Sequence, residues 1–324
     1  MLDNQCRRVL VKAIHPLTIT LIVLVAALAL AVNHIACNEN RHTVVAPKKV
    51  PIDNVPNVKK PETSTGFSSV DYTRHIEKIK NKIPNENFSI IIEKPFVVIG
   101  DESTATLRQL SKQTIRWAVD MLKQDYFEKD PAEIIDIWLF KDDQSYKKYT
   151  RKIFNDTPGT PFGYFSREHN ALIMNIATGG GTLVHEIVHP FMSANFPECP
   201  AWFNEGLASL YEQCREDKGH ISGLTNWRLA GLQDDIKANK LPSFEWLTHT
   251  TDNEFYRGDN YGQARYLCYY LQQKQMLIRF YHEFRKNCTQ DPSGYETLKK
   301  VLGGKDMSAF RKRWENFVLK LTFP

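Results

Sequence analysis

The chain has 324 residues, 42% of them hydrophobic and 24% charged, a balance that excludes a low-complexity or largely disordered protein. Its 42 Lys and Arg face 37 Asp and Glu, a net charge of +5, and the whole excess lies in residues 1–60, where eight basic residues meet three acidic ones. Residues 61–324 carry 34 of each sign, so no basic surface calls for a nucleic-acid partner.

The chain opens on Arg7, Arg8 and Lys12, followed at 17–32 by LTITLIVLVAALALAV, sixteen residues without a charge. A basic start and a long apolar run describe a signal peptide and a signal anchor alike. Three readings of 1–37 stand side by side: a retained transmembrane helix, cleavage after Ala29-Leu30-Ala31, and a lipoprotein signal ending in Ile35-Ala36-Cys37, with His34 where that motif takes an aliphatic residue. All three keep the basic residues inside and export the rest, so a membrane partner and an extracytoplasmic location are expected. Residues 38–66 hold four prolines among polar and basic residues and read as an extended spacer.

Residues 67–324 carry foldable patterns. Phe96–Gly100 and Ile134–Phe140 are short apolar runs read as strands, with a helix from Thr106 to about Phe127 between them and another over Asp142–Phe154, capped by Asp142. Phe162–Ser166 and Ala171–Ile176 alternate as a strand pair around the polar turn Arg167-Glu168-His169-Asn170. Beyond 181 nearly everything reads as helix: 182–193, 201–214, about 225–238, 261–273, 276–287, 293–302 and 305–320. Strands with helices first, then helices alone, predict an α+β fold, a small mixed sheet followed by a mainly helical lobe. Six cysteines include no Cys-x-x-Cys pair. Cys199 with Cys214 and Cys268 with Cys288 are disulfide candidates in an oxidising compartment, beside the plainer reading of free thiols.

The segment 182–190 reads TLVHEIVHP. Residues four apart share a helix face, so His185 and His189 aim two imidazoles at one point, with the Glu186 carboxylate beside it, where a general base for activated water belongs. Thr182 is the expected cap, Gly179-Gly180-Gly181 the flexible entry, and Pro190 the expected end or kink. A second helix then begins near Ala201, AWFNEGLASLYE, with Phe203, Leu207 and Leu210 on one face and Glu205, Ala208, Ser209 and Glu212 on another. An antiparallel return of that helix brings Glu205 to the open side of the two histidines and completes a three-ligand zinc site with a free fourth position.

HEIVH followed by NEGLAS resembles the gluzincin zinc peptidases, the clan of thermolysin and the zinc aminopeptidases, and the segment 160–275 is similar to peptidase MA-like domains. The resemblance implies a thermolysin-like core, Zn(2+) held by His185, His189 and Glu205, Glu186 as catalytic base, and supporting roles for Asn204 and Ser209. It also implies an edge strand that pairs with extended peptide, here Ala171–Ile176, and a downstream oxyanion donor, Tyr261, with His249 as a rival. The gap from His189 to Glu205 is shorter than in the aminopeptidases. Met174-Asn175-Ile176 also lacks their amine-gripping glutamate, which favours endopeptidase action on a peptide or protein substrate. The rival expectations are a catalytically inactive, zinc-stabilised binding module and a zinc hydrolase of a non-peptide envelope substrate.

Overall fold

Three mainly apolar segments between residues 96 and 175 become the interior of one mixed sheet. The computed structural model describes residues 66–324, apart from 85–86, 259, 305 and 324. The expected leader at 1–37 and nearly all of the spacer lie outside the described residues. Among the described residues, no helix is long and apolar enough to cross a membrane.

Strands β1 (Ser89–Glu93), β2 (Phe96–Gly100), β3 (Ile135–Phe140), β4 (Gly163–Ser166) and β5 (Ala171–Asn175) form a five-stranded sheet in the order β1-β2-β3-β5-β4. The central strands β2, β3 and β5 pair in parallel and are buried at every position, as strands covered on both faces must be. The two outer strands are antiparallel to their neighbours.

The period of two along these strands sorts their side chains into two cores. Val97, Ile99, Trp138, Phe140 and Ile173 face one way. They pack against helices α1 (Ser69–Lys80) and α4 (Asp143–Phe154), which supply Tyr72, Ile79, Tyr146, Tyr149 and Phe154. Asp142 does cap α4, accepting from the Ser145 N–H at 2.7 Å.

Val98, Ile137, Leu139, Leu172 and Met174 face the other way, into the larger core of the helical half. The helix predicted from Thr106 to Phe127 is there, as α2 (Thr104–Leu110) and α3 (Trp117–Asp125) joined by a π-helical turn, Ser111–Arg116. The turn lies where the Ser111 hydroxyl and the Arg116 guanidinium both donate to Glu93 of β1, at 2.8 and 2.6 Å.

The helical lobe consists of α5 (Gly181–Asn195), α6 (Ala201–Leu210), α7 (Arg228–Lys237), α8 (Phe244–His249), α9 (Asp252–Arg257), α10 (Tyr261–Gln273), α11 (Leu277–Asn287), α12 (Tyr295–Val301) and α13 (Met307–Val318). It departs from expectation in three places, the first being the short helices α8 and α9 in a stretch where no helix was predicted. The helix read over 201–214 stops at Leu210, and Cys214–Asp217 and His220–Gly223 form an antiparallel hairpin, β6 and β7. Pro190 does not end α5, which runs on to Asn195. Pro190 has no N–H to offer the Glu186 carbonyl. The turn beyond it is nevertheless held by buried Phe191 and Met192 and by Asn195, whose amide donates to the Phe191 and Lys129 carbonyls at 2.8 Å.

Helix α10 lies so close to α6 that a Cβ on Gly206 would stand 3.1 Å from both the Ala264 carbonyl oxygen and Cys268 Sγ. From α10 the fully buried Arg265 donates to the Ser209 and Leu210 carbonyls, at 2.9 and 3.3 Å, which satisfies the last turn of α6. Neither candidate disulfide forms, since Cys199, Cys214, Cys268 and Cys288 are all free.

Candidate metal centre

The chain enters α5 through Gly179, whose φ of +100° suits glycine. Thr182 does not cap the helix; Gly180 holds the cap position and no side chain bonds there. The need for glycine at 181 is spatial. A Cβ there would sit 2.1 Å from the Glu212 carbonyl oxygen, so the start of α5 closes directly on the chain leaving α6.

His185 and His189 project from α5 with ring centroids 5.0 Å apart. The antiparallel return of α6 sets Glu205 against both, with Oε2 3.3 Å from His185 Nε2 and Oε1 3.9 Å from His189 Nε2. One ligand atom from each of the three residues lies within 4.8 Å of the others, a group that can hold a metal ion. Each imidazole is oriented through its second nitrogen: His189 Nδ1 stands 3.0 Å from Asn204 Oδ1, and His185 Nδ1 stands 3.4 Å from Glu212 Oε1. The second of these is an ionic contact rather than a well-aligned hydrogen bond, since His185 Nδ1 has no bond of good geometry.

Glu212 is itself held by three donors. Asn226 Nδ2 reaches its Oε2 at 2.9 Å, and the Arg228 guanidinium forks across both oxygens at 3.0 and 2.8 Å. Burial would raise the Glu212 carboxyl, but the His185 and Arg228 contacts outweigh it and bring it down to about 2. Burial likewise works against charge on His185, yet Glu205, Glu212 and Glu186 overcome it and push the imidazole up to about 10. His189 is lowered, by burial and by its neighbour His185. Three carboxylates around two imidazoles thus call for a positive charge, and two nitrogens with one carboxylate are a donor set that suits zinc. Those residues fit the ion.

Glu186 stands beside this point, half-buried in the same cleft of about 630 Å³. Burial pushes its carboxyl up to about 7, against the pull of His185, with Glu205 and Glu212 adding to the rise and a hydrogen bond from the Phe165 backbone opposing it. Tyr261 lines the cleft as expected, and its hydroxyl has no hydrogen-bond partner among the described residues. His249 is elsewhere, with Nδ1 2.8 Å from the Glu245 carbonyl and its ring against Tyr295. Ser209 makes no hydrogen bond to the ligands; its buried hydroxyl has no hydrogen-bond partner among the described residues.

Two features were not anticipated. Tyr256 of α9 donates its hydroxyl to Glu205 Oε1 at 3.0 Å, and the whole Glu212–Asn226–Arg228 support lies behind His185. The seven-residue interval from Glu205 to Glu212, two helical turns, was the available signal for the latter.

The strand beside the cleft also differs from expectation. Ala171–Asn175 is an interior strand, flanked by β3 and β4, so it has no free edge to offer a peptide. The outer strand is β4, and Phe165 and Arg167 line the cleft at its end. Phe162 O accepts from the Asn175 N–H at 2.9 Å, so hydrogen-bonded partners alternate from there and the N–H and C=O of Phe165 point away from β5, the N–H to Glu186.

No protein-family model and no curated protein matches the chain.

Proposed function

We propose that the chain is a gluzincin-type zinc peptidase, tethered by its N-terminal segment and hydrolysing peptide bonds outside the cytoplasm. The observation that carries this reading is the convergence of the His185 and His189 Nε2 atoms on the Glu205 carboxylate, with Glu186 beside them in an open cleft. The apolar run at 17–32 behind Arg7, Arg8 and Lys12 supports the tether and the export.

Bound by those three residues, zinc supplies Lewis acidity to a water and to a substrate carbonyl. The residues of the chain do the rest. Glu186, poised near neutrality, takes the proton of the attacking water and hands it to the leaving amine. Asn204 and Glu212 keep both imidazoles turned toward Glu205. Tyr261 offers its free hydroxyl to the developing oxyanion. The open edge of β4 offers the Phe165 C=O to an extended peptide, while the Phe165 N–H is held by Glu186.

Metal analysis of the purified protein tests the site, and casein hydrolysis tests the activity. One equivalent of zinc, lost in Glu205→Ala, together with chelator-sensitive cleavage is the expected result. Zinc bound without turnover on casein or peptides would leave a non-catalytic binding module or a hydrolase of a non-peptide envelope substrate, which an assay on cell-wall fragments separates, and no zinc would remove the reading altogether.

A further inference from the structure

The cleft beside the candidate metal centre has a charge asymmetry that the hydrolytic chemistry does not use. Glu186 and Glu205 are occupied by proton transfer and metal binding in the proposed reading. Among the described residues lining the cleft, Arg167 is the only Lys or Arg, and it sits at the end of the edge strand, directly after Ser166 of β4. Its side chain is exposed and makes no ion pair or hydrogen bond with another described residue. The rest of the lining is mostly polar: Ser193, Asn204 and the hydroxyls of Tyr256 and Tyr261, with Phe165 as its apolar member. Such a surface provides no deep apolar slot for a bulky hydrophobic anchor. It does provide one unpaired guanidinium, whose planar fork is the natural complement of a carboxylate.

The position of Arg167 along the strand fixes which part of a peptide it meets. An added strand that pairs antiparallel to β4, the more stable of the two pairings, runs from the Arg167 end toward the Gly163 end. The bond to be cut lies where Phe165 faces Glu186, so Arg167 stands against residues on the amino side of that bond.

We propose that Arg167 selects substrates bearing an acidic side chain on the amino side of the scissile bond. The proposal rests on the peptidase reading above and adds a substrate class to it: peptides with Asp or Glu within the three residues before the cleaved bond. The carboxylate recognised belongs to a side chain rather than to the end of a chain, because the carboxyl terminus of a bound peptide leaves toward Gly163.

The test uses the zinc-loaded full chain and internally quenched peptides with blocked ends. Glu, Gln or Lys is placed at each of the three positions on either side of the cleaved bond. A partly exposed Arg–carboxylate pair predicts kcat/KM about tenfold higher for Glu than for Lys on the amino side, with little preference on the other. Arg167→Gln flattens that ranking and Arg167→Glu inverts it; zinc content and melting temperature report that both variants are folded. Casein hydrolysis with equal rates for the three peptides overturns the proposal and leaves the peptidase reading standing. So does a preference that survives Arg167→Glu, or one that appears only in peptides with a free carboxyl terminus. Zinc-loaded protein that cleaves neither casein nor any peptide overturns both.

Discussion

Arg228 forks across Glu212 at 2.8 and 3.0 Å, and the same carboxylate stands 3.4 Å from the Nδ1 of His185. A half-buried guanidinium is thereby linked, through one buried carboxylate, to an imidazole of the candidate metal centre. Glu212→Gln removes the charge that steadies His185 and lowers metal affinity by about 10- to 100-fold, the usual effect of losing an outer partner of a ligand. Competition with a graded series of chelators measures it, and unchanged affinity would show that His185 is oriented by the helix alone.

Glu186→Gln keeps its shape and loses the ability to carry a proton. The variant retains its zinc, while kcat falls by at least about 10²-fold, the lower end for a lost general base. Parallel metal analysis and turnover assays check the two halves separately, and full activity in a zinc-replete variant contradicts the proton role.

Tyr256 and Tyr261 both reach the cleft, but only Tyr256 spends its hydroxyl on Glu205. Tyr261→Phe is therefore expected to lower kcat by about 10²- to 10³-fold at unchanged zinc content, as loss of an oxyanion donor does. Tyr256→Phe frees one oxygen of a ligand and acts on metal affinity first. The reverse assignment of these two effects would exchange the roles.

Gly181 has no room for a methyl group, because a Cβ there would meet the Glu212 carbonyl oxygen at 2.1 Å. Gly181→Ala must push the start of α5 away from the end of α6, at an overpacking cost of about 1–3 kcal/mol. Thermal unfolding reads this as a lower melting temperature. Metal retention falls with it, since His185 follows one turn later.

Burial pushes the Cys214 thiol up to about 12 and holds Cys199 and Cys268 well above the ordinary thiol range. The thiolate is the nucleophile, so these three cysteines resist iodoacetamide at pH 8 in the folded protein and react once it is unfolded in urea. For Cys214 the sign of the shift means that its contribution to stability is complete below the unfolded value of 9.0 and is lost as pH rises toward about 12. Mass spectrometry after timed alkylation decides the first point, and melting curves above pH 9 the second.

Much of the site could be read in advance because its geometry is local. His185 and His189 share a helix face whatever surrounds them, and the short link to Ala201 left α6 little choice but to return alongside. The buried strands β2 and β3 announced themselves as short, mainly apolar runs, and β5 through its alternation beside Phe162–Ser166. What escaped depends on partners distant in the chain. Cys214–Asp217 is polar and largely exposed, so nothing in its residues marks a strand before His220–Gly223 pairs with it. Helix α9 spans six residues, too few for a period to show, and Tyr256 was hidden with it. Which strand is outermost is a property of pairing order, so the interior position of Ala171–Asn175 was invisible until its neighbours were known. That α5 runs on past Pro190 was hidden for a similar reason, because the contacts that carry it further come from Asn195 and the Lys129 backbone.

The buried guanidinium of Arg265 gives the ligand set a long reach along the chain. Glu205 belongs to a helix whose final carbonyls are held from α10, more than fifty positions further on. The segment with the recognisable spacing is thus only half of what holds the candidate ligand group in place, and a fragment ending after α6 would lack the clasp. Loss of zinc and opening of the C-terminal helices should then occur as one cooperative event, so that bound metal serves as a gauge of whether the whole lobe is intact.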